Sequence, residues 1–551
     1  MTSYLESPTP LGGLAALERS RLSISDYYVP LRNDPDDTVR VGAWLALLNR
    51  NAVPFDLFDE AEEMGNVGAL QRPLFDFFES RFEHERSARV ARLQRPPQAP
   101  DVESMRAEVA MNLTEAAASK RKVYIETGHI DELFAEMEFV YAGRGAAAAL
   151  PLAVRNVVIN PHEPLGVVRM LQFCADIRRH DLLDEAIERL VDQDLHLYTA
   201  LVFSAASDLI KGNAEEALGR LTHLADFVAP VDIANRLYPT IARLRGEAHE
   251  LLGDFASAYG AFLEMNSPPG EHAVDLSVLP ASVRAANRLA IPPLVPDART
   301  HWFAMLGFPR SGTTLLENAL ASHPAIETYE ERPTRSAVRF YLEHALPRAD
   351  SESERKDIYQ EARRRYYLEL DRVSSKRGAN RFIDKMPMMS ADAVFMSRLF
   401  PEKRYIFSIR HPFDVVLSCF KQSFAKNMAM DHFQKVDTAV ALYDFAMSEW
   451  FSVFELSDPR VHYVRYENLV TQFDSAVRGV LDFLHVEWDD AVTRFAETAS
   501  QRAAFTPSYQ KVRQGLGIGV QSSWRNYRFL FESEVARPLD KWVKHFGYSV
   551  D

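Results

Sequence analysis

The chain has 551 residues, of which 47% are hydrophobic and 25% are charged, a balance that is typical of a globular protein and excludes a disordered, collagen-like or disulfide-scaffold chain. Because this length exceeds what one hydrophobic core usually organises, we expect more than one domain. The net charge of −14 argues against non-specific binding to nucleic acid, which needs a basic surface, so we expect no nucleic-acid partner.

The sequence lacks the usual marks of a secreted or membrane-spanning protein. The first residues, MTSYLESPTPLGGL, contain no basic segment followed by an apolar stretch, so we expect no secretory signal. No apolar run reaches the roughly 18 residues that indicate a transmembrane helix. Cys174 and Cys419, the only cysteines, are too few for a disulfide framework or, alone, for a zinc site. We therefore expect a cytoplasmic protein without a transmembrane segment.

Two proline-rich segments, RPPQAP (95–100) and IPPLVP (291–296), predict domain boundaries because proline disfavours continued helix or strand. The charge also changes near the second segment. Residues 1–300 carry 29 basic and 44 acidic side chains, whereas residues 301–551 carry 34 and 33. We predict three parts, namely a mostly helical segment without an assigned role (1–94), a helical domain (101–290) and an α/β domain (298–551).

The second part is predicted to be a stack of tetratricopeptide-like helical repeats. HDLLDEAIERLV, GNAEEALGRL and GDFASAYGAFLEM place Ala186, Ala217 and Ala258 at similar positions, 31 and 41 residues apart. These spacings lie around the roughly 34 residues of tetratricopeptide repeats, although a generic helical bundle fits the same periodicity. Because such stacks present a groove, we predict that a protein partner binds here.

After residue 300, short apolar segments alternate with helical ones. HWFAML, RFI, RYIFSI and VHYVRY are each followed by a segment with helical periodicity. This alternation predicts a central parallel sheet flanked by helices. The fold class is therefore a helical repeat region followed by a P-loop-like α/β domain.

The segment GFPRSGTT (307–314) is predicted to bind a phosphate-like anion. It lies between a strand and a helix, so its turned amides and the helix dipole form an anion site. Thr313 stands where a P-loop carries the lysine that holds a triphosphate, which favours a shorter anion. The candidate anion-binding residues of the loop are Arg310, Ser311, Gly312, Thr313 and Thr314.

A second anion site is predicted where the segment RYIFSI ends. Arg410 follows this predicted strand and leaves its carboxyl end, the edge at which open α/β sheets bind ligands. Pro412 then starts a helix at a position where proline is tolerated. Ser418 lies about two turns into that helix, where we expect it to help Arg410 hold a second phosphate.

Together, PRSGTTLL and RHPFDVVLS resemble the two segments with which sulfotransferases bind PAPS (3′-phosphoadenosine-5′-phosphosulfate). The resemblance extends over residues 301–551, and it is to protein-tyrosine sulfotransferases and to bacterial proteins that join tetratricopeptide repeats to a sulfotransferase domain. It implies a sulfotransferase fold, PAPS as co-substrate without a metal, and transfer to a hydroxyl acceptor. The acceptor is a peptide, through a tyrosine, or a small hydroxyl compound.

The same resemblance implies roles for single residues. HPAIETYEE places Glu331 at the position of the catalytic base, with Glu330 as its rival. RFIDKMP gives Lys385 as the matching cation, and TPSYQKVRQ gives Ser508 as the matching serine. In such a site the cation and the serine stabilise charge on the leaving oxygen. VRYENLV places Tyr466 at a position that contacts the nucleotide.

Two positions depart from the family pattern. Gln422 stands where many members carry a second basic residue, and Ser523 stands where the tyrosine enzymes carry a lysine before Trp524. Two alternative functions also remain open. The first is a P-loop nucleotide kinase or NTPase, which the missing lysine at Thr313 disfavours. The second is a non-catalytic repeat scaffold.

Overall fold

The structure is a computed structural model in two compact units, Met1–Gly253 and Asp254–Asp551. It describes residues 24–50, 113–227, 231–268, 275–296, 299–332, 334–371, 378–424, 427–495 and 523–550, with scattered residues from 53 to 74 and residue 374. The proline-rich segment 95–100 lies outside the described residues. The segment 291–296, predicted as a boundary, lies within the second unit.

The regular structure described in the first unit is helical. Its helices are α1 (Ile24–Tyr28), α2 (Asp37–Asn49), α3 (Leu113–Thr127), α4 (Ile130–Arg144), α5 (Ala146–Ile159), α6 (Pro164–Asp176), α7 (His180–Asp192), α8 (Leu197–Lys211), α9 (Ala214–Thr222) and α10 (Val231–Leu251). In α7, Leu183, Ala186 and Leu190 recur at helical spacing and are buried. This spacing gives each helix an apolar face, and these faces form the core of the unit.

Helices that follow one another in sequence also pack against one another, as α3 does with α4, α5 with α6 and α8 with α9. Ala186 and Ala217, two of the three alanines singled out in the sequence, are buried. Small side chains there allow close helix packing. Ala258, also buried, belongs to the second unit. The tetratricopeptide character of the region stays a prediction.

A five-stranded parallel sheet forms the centre of the second unit, with the order β2-β3-β1-β4-β5. The strands are β1 (Trp302–Gly307), β2 (Ile326–Glu330), β3 (Arg381–Lys385), β4 (Arg404–Ile409) and β5 (Val461–Arg465). The four apolar segments predicted as strands are β1, β3, β4 and β5. The sequence analysis missed β2, whose charged residues interrupt the apolar pattern.

Helices cover this sheet, as the alternating pattern predicted. The helices described in the second unit are α11 (Phe255–Asn266), α12 (Val278–Asn287), α13 (Thr313–Ser322), α14 (Thr334–Ala345), α15 (Glu352–Asp371), α16 (Ala393–Leu399), α17 (Pro412–Phe420), α18 (Val436–Phe451), α19 (Tyr466–Thr471), α20 (Phe473–Leu484), α21 (Arg528–Phe531) and α22 (Arg537–His545). Leu316 of α13 and Val480 of α20 share one core with Ile383 and Ile406 of the sheet. Among the described residues, no helix is long and apolar enough to cross a lipid bilayer.

Candidate active site

The candidate residues gather at one edge of the sheet because its strands are parallel. Gly307 ends β1, Glu330 ends β2 and Lys385 ends β3. Arg410 directly follows β4, and Tyr466 directly follows β5. The strand register keeps these ends level, since Glu330 pairs with Lys385 and Gly307 with Ser408. One of these residues therefore lies at the carboxyl end of each strand, the edge at which ligands of open α/β sheets bind.

The loop between β1 and α13 has the backbone of an anion site. Arg310 has a φ of +70° and Gly312 a φ of +93°, so both adopt left-handed conformations that turn the chain into the helix. A Cβ atom at position 312 would lie 2.5 Å from Cδ2 of Tyr466, so only glycine fits. The hydroxyl-bearing residues Ser311 and Thr314 are buried at the start of α13, where the helix dipole favours a negative charge.

The two arginines predicted to bind anions are linked to each other. Nη1 of Arg410 donates a hydrogen bond of 3.1 Å to the carbonyl oxygen of Arg310. Nε of Arg310 donates to Oγ of Ser418 at 3.1 Å. Ser418 therefore contacts Arg310, although the sequence analysis paired it with Arg410. Burial lowers the pKa of Arg310, and the like charge of Arg410 lowers it further. An anion that neutralises both guanidinium groups would relieve this repulsion.

Tyr466 lies between the loop and Arg410. The guanidinium carbon of Arg410 is 4.6 Å from the centre of the Tyr466 ring, a cation–π distance. The same ring lies beside Gly312. The structure therefore brings Arg310, Arg410, Ser418 and Tyr466 together with the loop, and their role in donor binding stays a prediction.

A second group of side chains surrounds Lys385. Its Nζ lies 2.9 Å from Oε1 of Glu331, 3.1 Å from Oε1 of Glu330 and 3.5 Å from Oε2 of Glu317. Thr328 donates a further hydrogen bond of 3.0 Å to Oε1 of Glu317. Lys385 and Glu317 are fully buried, whereas the side chain of Glu331 is 36% exposed. We call Lys385 and its three glutamates the lysine–carboxylate cluster, of which Glu331 is the accessible member.

The charges in this cluster shift one another's proton affinity. Burial raises the pKa of Glu330 to about 7, and the neighbouring carboxylates of Glu317 and Glu331 add to the rise while Lys385 opposes it. Burial alone would lower the pKa of Lys385, but the three carboxylates outweigh burial and raise that pKa above its ordinary value. The cluster therefore favours the charged form of Lys385 and the protonated form of Glu330.

Glu331 is held in an uncommon backbone conformation. Its φ is +46°, and its amide donates a hydrogen bond of 2.8 Å to the carbonyl oxygen of Lys385. For a residue with a side chain this left-handed conformation costs about 1–2 kcal/mol. Such strain persists only where the surroundings impose it, and it concentrates at functional sites. Here it turns the Glu331 side chain out of β2 and towards Lys385.

Other sequence-derived candidates have different outcomes. Ser508 lies outside the described residues. Ser523, one of the two departures from the family pattern, donates a hydrogen bond of 3.0 Å to Oδ1 of Asp414 at the start of α17. Gln422, the other departure, donates to the carbonyl oxygen of Ser423. Sequence analysis missed Glu317, although an acid within the apolar stretch TTLLENAL was a usable signal, because a buried charge requires a partner.

Comparison with known families agrees with this geometry. Residues 303–490 match the model of the Sulfotransferase family, and this range contains both anion-binding segments and the lysine–carboxylate cluster. Residues 303–490 are therefore similar to a sulfotransferase domain, and they make up less than half of the chain. Within the described ranges, no group of three or more histidine, cysteine, aspartate or glutamate side chains is arranged to hold a metal ion.

Several curated proteins are similar to the sulfotransferase domain. The chain is 27% identical over 254 residues to protein-tyrosine sulfotransferase 2 of Gallus gallus, covering 43% of this chain and 62% of that one. It is 26% identical over 238 residues to an uncharacterized protein of Aquifex aeolicus, covering 40% and 30%. The chain thus spans less than two thirds of the length of these relatives.

Solved sulfotransferase structures are more distant. The sulfotransferase domain of the Synechococcus PCC 7002 olefin synthase matches with a TM-score of 0.34 and 19% identity, covering 48% of this chain and 100% of that domain. A mouse sulfotransferase complexed with PAP matches with a TM-score of 0.26 and 16% identity, covering 45% and 90%.

Proposed function

We propose that this protein transfers a sulfuryl group from PAPS to a hydroxyl acceptor. The observation that carries the proposal is the placement, at one sheet edge, of two linked arginines beside the glycine-containing loop and of a partly exposed carboxylate held by a buried lysine. The first set suits a donor with two anionic ends. The second set suits the removal of a proton from an acceptor.

Donor binding is assigned to the loop and to the end of β4. The amides and hydroxyls of Ser311, Thr313 and Thr314 would hold the 5′-phosphosulfate, because they stand at the positive end of α13. Arg410 would hold the 3′-phosphate, and the Tyr466 ring packs against its guanidinium. Arg310 bridges the two regions through its carbonyl oxygen and its bond to Ser418.

The chemical step requires one bond to form and one to break. The acceptor oxygen bonds to sulfur while the bond between sulfur and the bridging phosphate oxygen breaks, and the nucleotide leaves as adenosine 3′,5′-bisphosphate. Glu331 takes the acceptor proton, because it is the exposed carboxylate of the cluster. Lys385 orients Glu331 and adds a positive charge near the reacting groups. Ser508 is proposed as a donor to the leaving oxygen on the basis of the resemblance.

The acceptor is proposed to be a hydroxyl group, either of a peptidyl tyrosine or of a small hydroxyl compound. Support for the tyrosine comes from the similarity to proteins named protein-tyrosine sulfotransferases. The acidic first half of the chain disfavours a strongly acidic peptide as a partner of that half, because like charges repel. A protein partner at the predicted repeats, and a cytoplasmic location, also remain proposals.

The experiment that tests the proposal compares two nucleotides. Adenosine 3′,5′-bisphosphate, without any metal, is expected to raise the melting temperature of the wild-type protein, and ATP with magnesium is not. Labelled PAPS is then incubated with a panel of tyrosine peptides and phenols, and the label is located by mass spectrometry. Stabilisation by magnesium–ATP with ATP turnover would instead establish the kinase or NTPase alternative.

A further inference from the structure

The connection between β4 and α17 consists of two residues, Arg410 and His411, and two consecutive residues of α19 hold it. The Tyr466 ring lies against the guanidinium of Arg410. Oε1 of the next residue, Glu467, accepts a hydrogen bond of 3.1 Å from the amide of His411. The pair Tyr466–Glu467 therefore fixes the pair Arg410–His411 residue by residue.

Glu467 is in turn held by a segment that is distant in sequence. The hydroxyl of Tyr548 donates a hydrogen bond of 2.6 Å to Oε2 of Glu467. Next to it, the carbonyl oxygen of Ser549 contacts Nε2 of His411 at 3.1 Å. Arg465 donates to the carbonyl oxygen of Phe546 and places its guanidinium over the Tyr548 ring. Residues 546–549 thus contact His411 of the connection and also Arg465 and Glu467 next to it.

The His411 imidazole has a defined hydrogen-bonding state. Its Nδ1 accepts a bond of 3.3 Å from the amide of Phe413, so Nε2 carries the proton and donates it to Ser549. The ring of Trp524 stacks on this imidazole at 5.0 Å. Both ring nitrogens of His411 therefore make hydrogen bonds, and these bonds restrict the orientation of the ring.

We propose that Glu467 and Tyr548 are positioning residues that hold Arg410 in place for the 3′-phosphate of the donor. The proposal rests on the proposed function, in which Arg410 binds that phosphate. Neither side chain is assigned a contact with the donor. Glu467 acts through the His411 amide, and Tyr548 acts through Glu467.

The arrangement predicts an effect that depends on the 3′-phosphate. Loss of the Tyr548 hydroxyl removes one hydrogen bond to the carboxylate of Glu467. The free energy of such a bond corresponds to about a tenfold change in affinity. The affinity for a ligand with a 3′-phosphate should therefore fall. The affinity for a ligand that has only a 5′-phosphate, which binds at the loop of α13, should not.

The test measures the Kd of two probes, adenosine 3′,5′-bisphosphate and 5′-AMP, by calorimetry or competition. The variants are Tyr548→Phe and Glu467→Gln, with Tyr463→Phe as the matched control. Tyr463 also donates its hydroxyl proton within the same unit, to the carbonyl oxygen of Glu455 at 3.2 Å. Melting temperatures are recorded for every variant.

The expected result is a rise of about tenfold in the Kd of the bisphosphate for Tyr548→Phe, with less than about a twofold change for 5′-AMP and for the control. An equal weakening of both nucleotides, which general destabilisation would cause, overturns the proposal, and so does an unchanged Kd of the bisphosphate. If the wild-type protein binds neither nucleotide, the proposed function fails, and the positioning role fails with it.

Discussion

Glu331 and Lys385 are joined twice, once through their side chains and once through their backbones. Nζ of Lys385 lies 2.9 Å from Oε1 of Glu331, and the Glu331 amide donates to the Lys385 carbonyl oxygen at 2.8 Å. The backbone bond continues the β2–β3 ladder one residue beyond the end of β2. The carboxylate proposed as the base is therefore fixed relative to the sheet, and its left-handed backbone turns it towards the lysine.

Replacing this carboxylate should separate catalysis from binding. We expect Glu331→Gln to lower sulfuryl transfer by about 10²–10⁴-fold, because a positioned base contributes that much. The Kd of adenosine 3′,5′-bisphosphate should stay within about twofold of the wild type, since Glu331 is not placed in the donor-binding set. Release of the bisphosphate from PAPS in the presence of tyrosine peptides and phenols measures the rate.

The control for this prediction is Glu532→Gln, which removes an exposed carboxylate at the end of α21 that pairs with Arg528. It should transfer sulfate at the wild-type rate. Near-wild-type transfer by Glu331→Gln would instead remove Glu331 from the role of base. Glu330, whose pKa burial raises to about 7, would then be the next carboxylate to test.

Arg410 should determine nucleotide affinity. We expect Arg410→Ala to weaken binding of adenosine 3′,5′-bisphosphate by about 10–100-fold, because charge-assisted contacts to phosphate are strong. Arg410→Lys should recover only part of this loss, since an ammonium lacks the planar fork that bonds to phosphate and rests on the Tyr466 ring. Calorimetric titration provides the Kd values. An unchanged Kd for Arg410→Ala would place the 3′-phosphate elsewhere.

Gly312 should tolerate no side chain. Gly312→Ala introduces a Cβ atom 2.5 Å from the Tyr466 ring at a φ of +93°. The loop or Tyr466 must move, so we expect a loss of about 1–3 kcal/mol of stability and a marked loss of nucleotide affinity. The control, Gly260→Ala, adds a Cβ atom that meets nothing within 4 Å. Urea unfolding compares the two, and equal stability would contradict the close packing of loop and ring.

Several features of the fold followed from sequence, and the exceptions have a physical cause. β1, β3, β4 and β5 are apolar runs that the alternating pattern identifies directly. β2 (IETYE) escaped notice because Glu327 and Glu330 interrupt its apolar pattern, yet both are buried. Ser374 donates to Glu327 and Lys385 pairs with Glu330. These partners come from other elements, so β2 itself carries no sign that its charges are compensated.

In the candidate site, too, the position of a residue in an element could be predicted more readily than its contacts with other elements. Arg310 and Arg410 could be placed at the carboxyl edge from the pattern of strands and helices, whereas Tyr466 was proposed only because VRYENLV resembles a sulfotransferase segment. Which partner each side chain selects could not be predicted. Ser418 is on the expected helix but bonds to Arg310. Glu467 lies beside Tyr466 but bonds to Tyr548, which is 81 residues away in sequence.

Lys403 should make the stability of the protein depend on pH. It is buried beside the aromatic rings of Tyr366, Tyr367 and Phe400, and its Nζ has no hydrogen-bond partner among the described residues. Burial lowers the pKa of Lys403 to about 7, although the charges of Asp384 and Glu402 oppose this shift. The folded protein therefore holds this amine neutral above about pH 7, whereas the unfolded chain protonates it up to about pH 10.4.

Because the unfolded chain binds the additional proton between these two values, the unfolding free energy must rise with pH across that window. We expect a slope of up to about 1.4 kcal/mol per pH unit in the wild type relative to Lys403→Met, which lacks the titrating group. Lys541→Met, at an exposed lysine that pairs with Asp444, is the control and should keep the slope. Urea unfolding at pH 7.5 and 9.5 measures it, and parallel stabilities of wild type and Lys403→Met would show that Lys403 is protonated in the folded protein throughout.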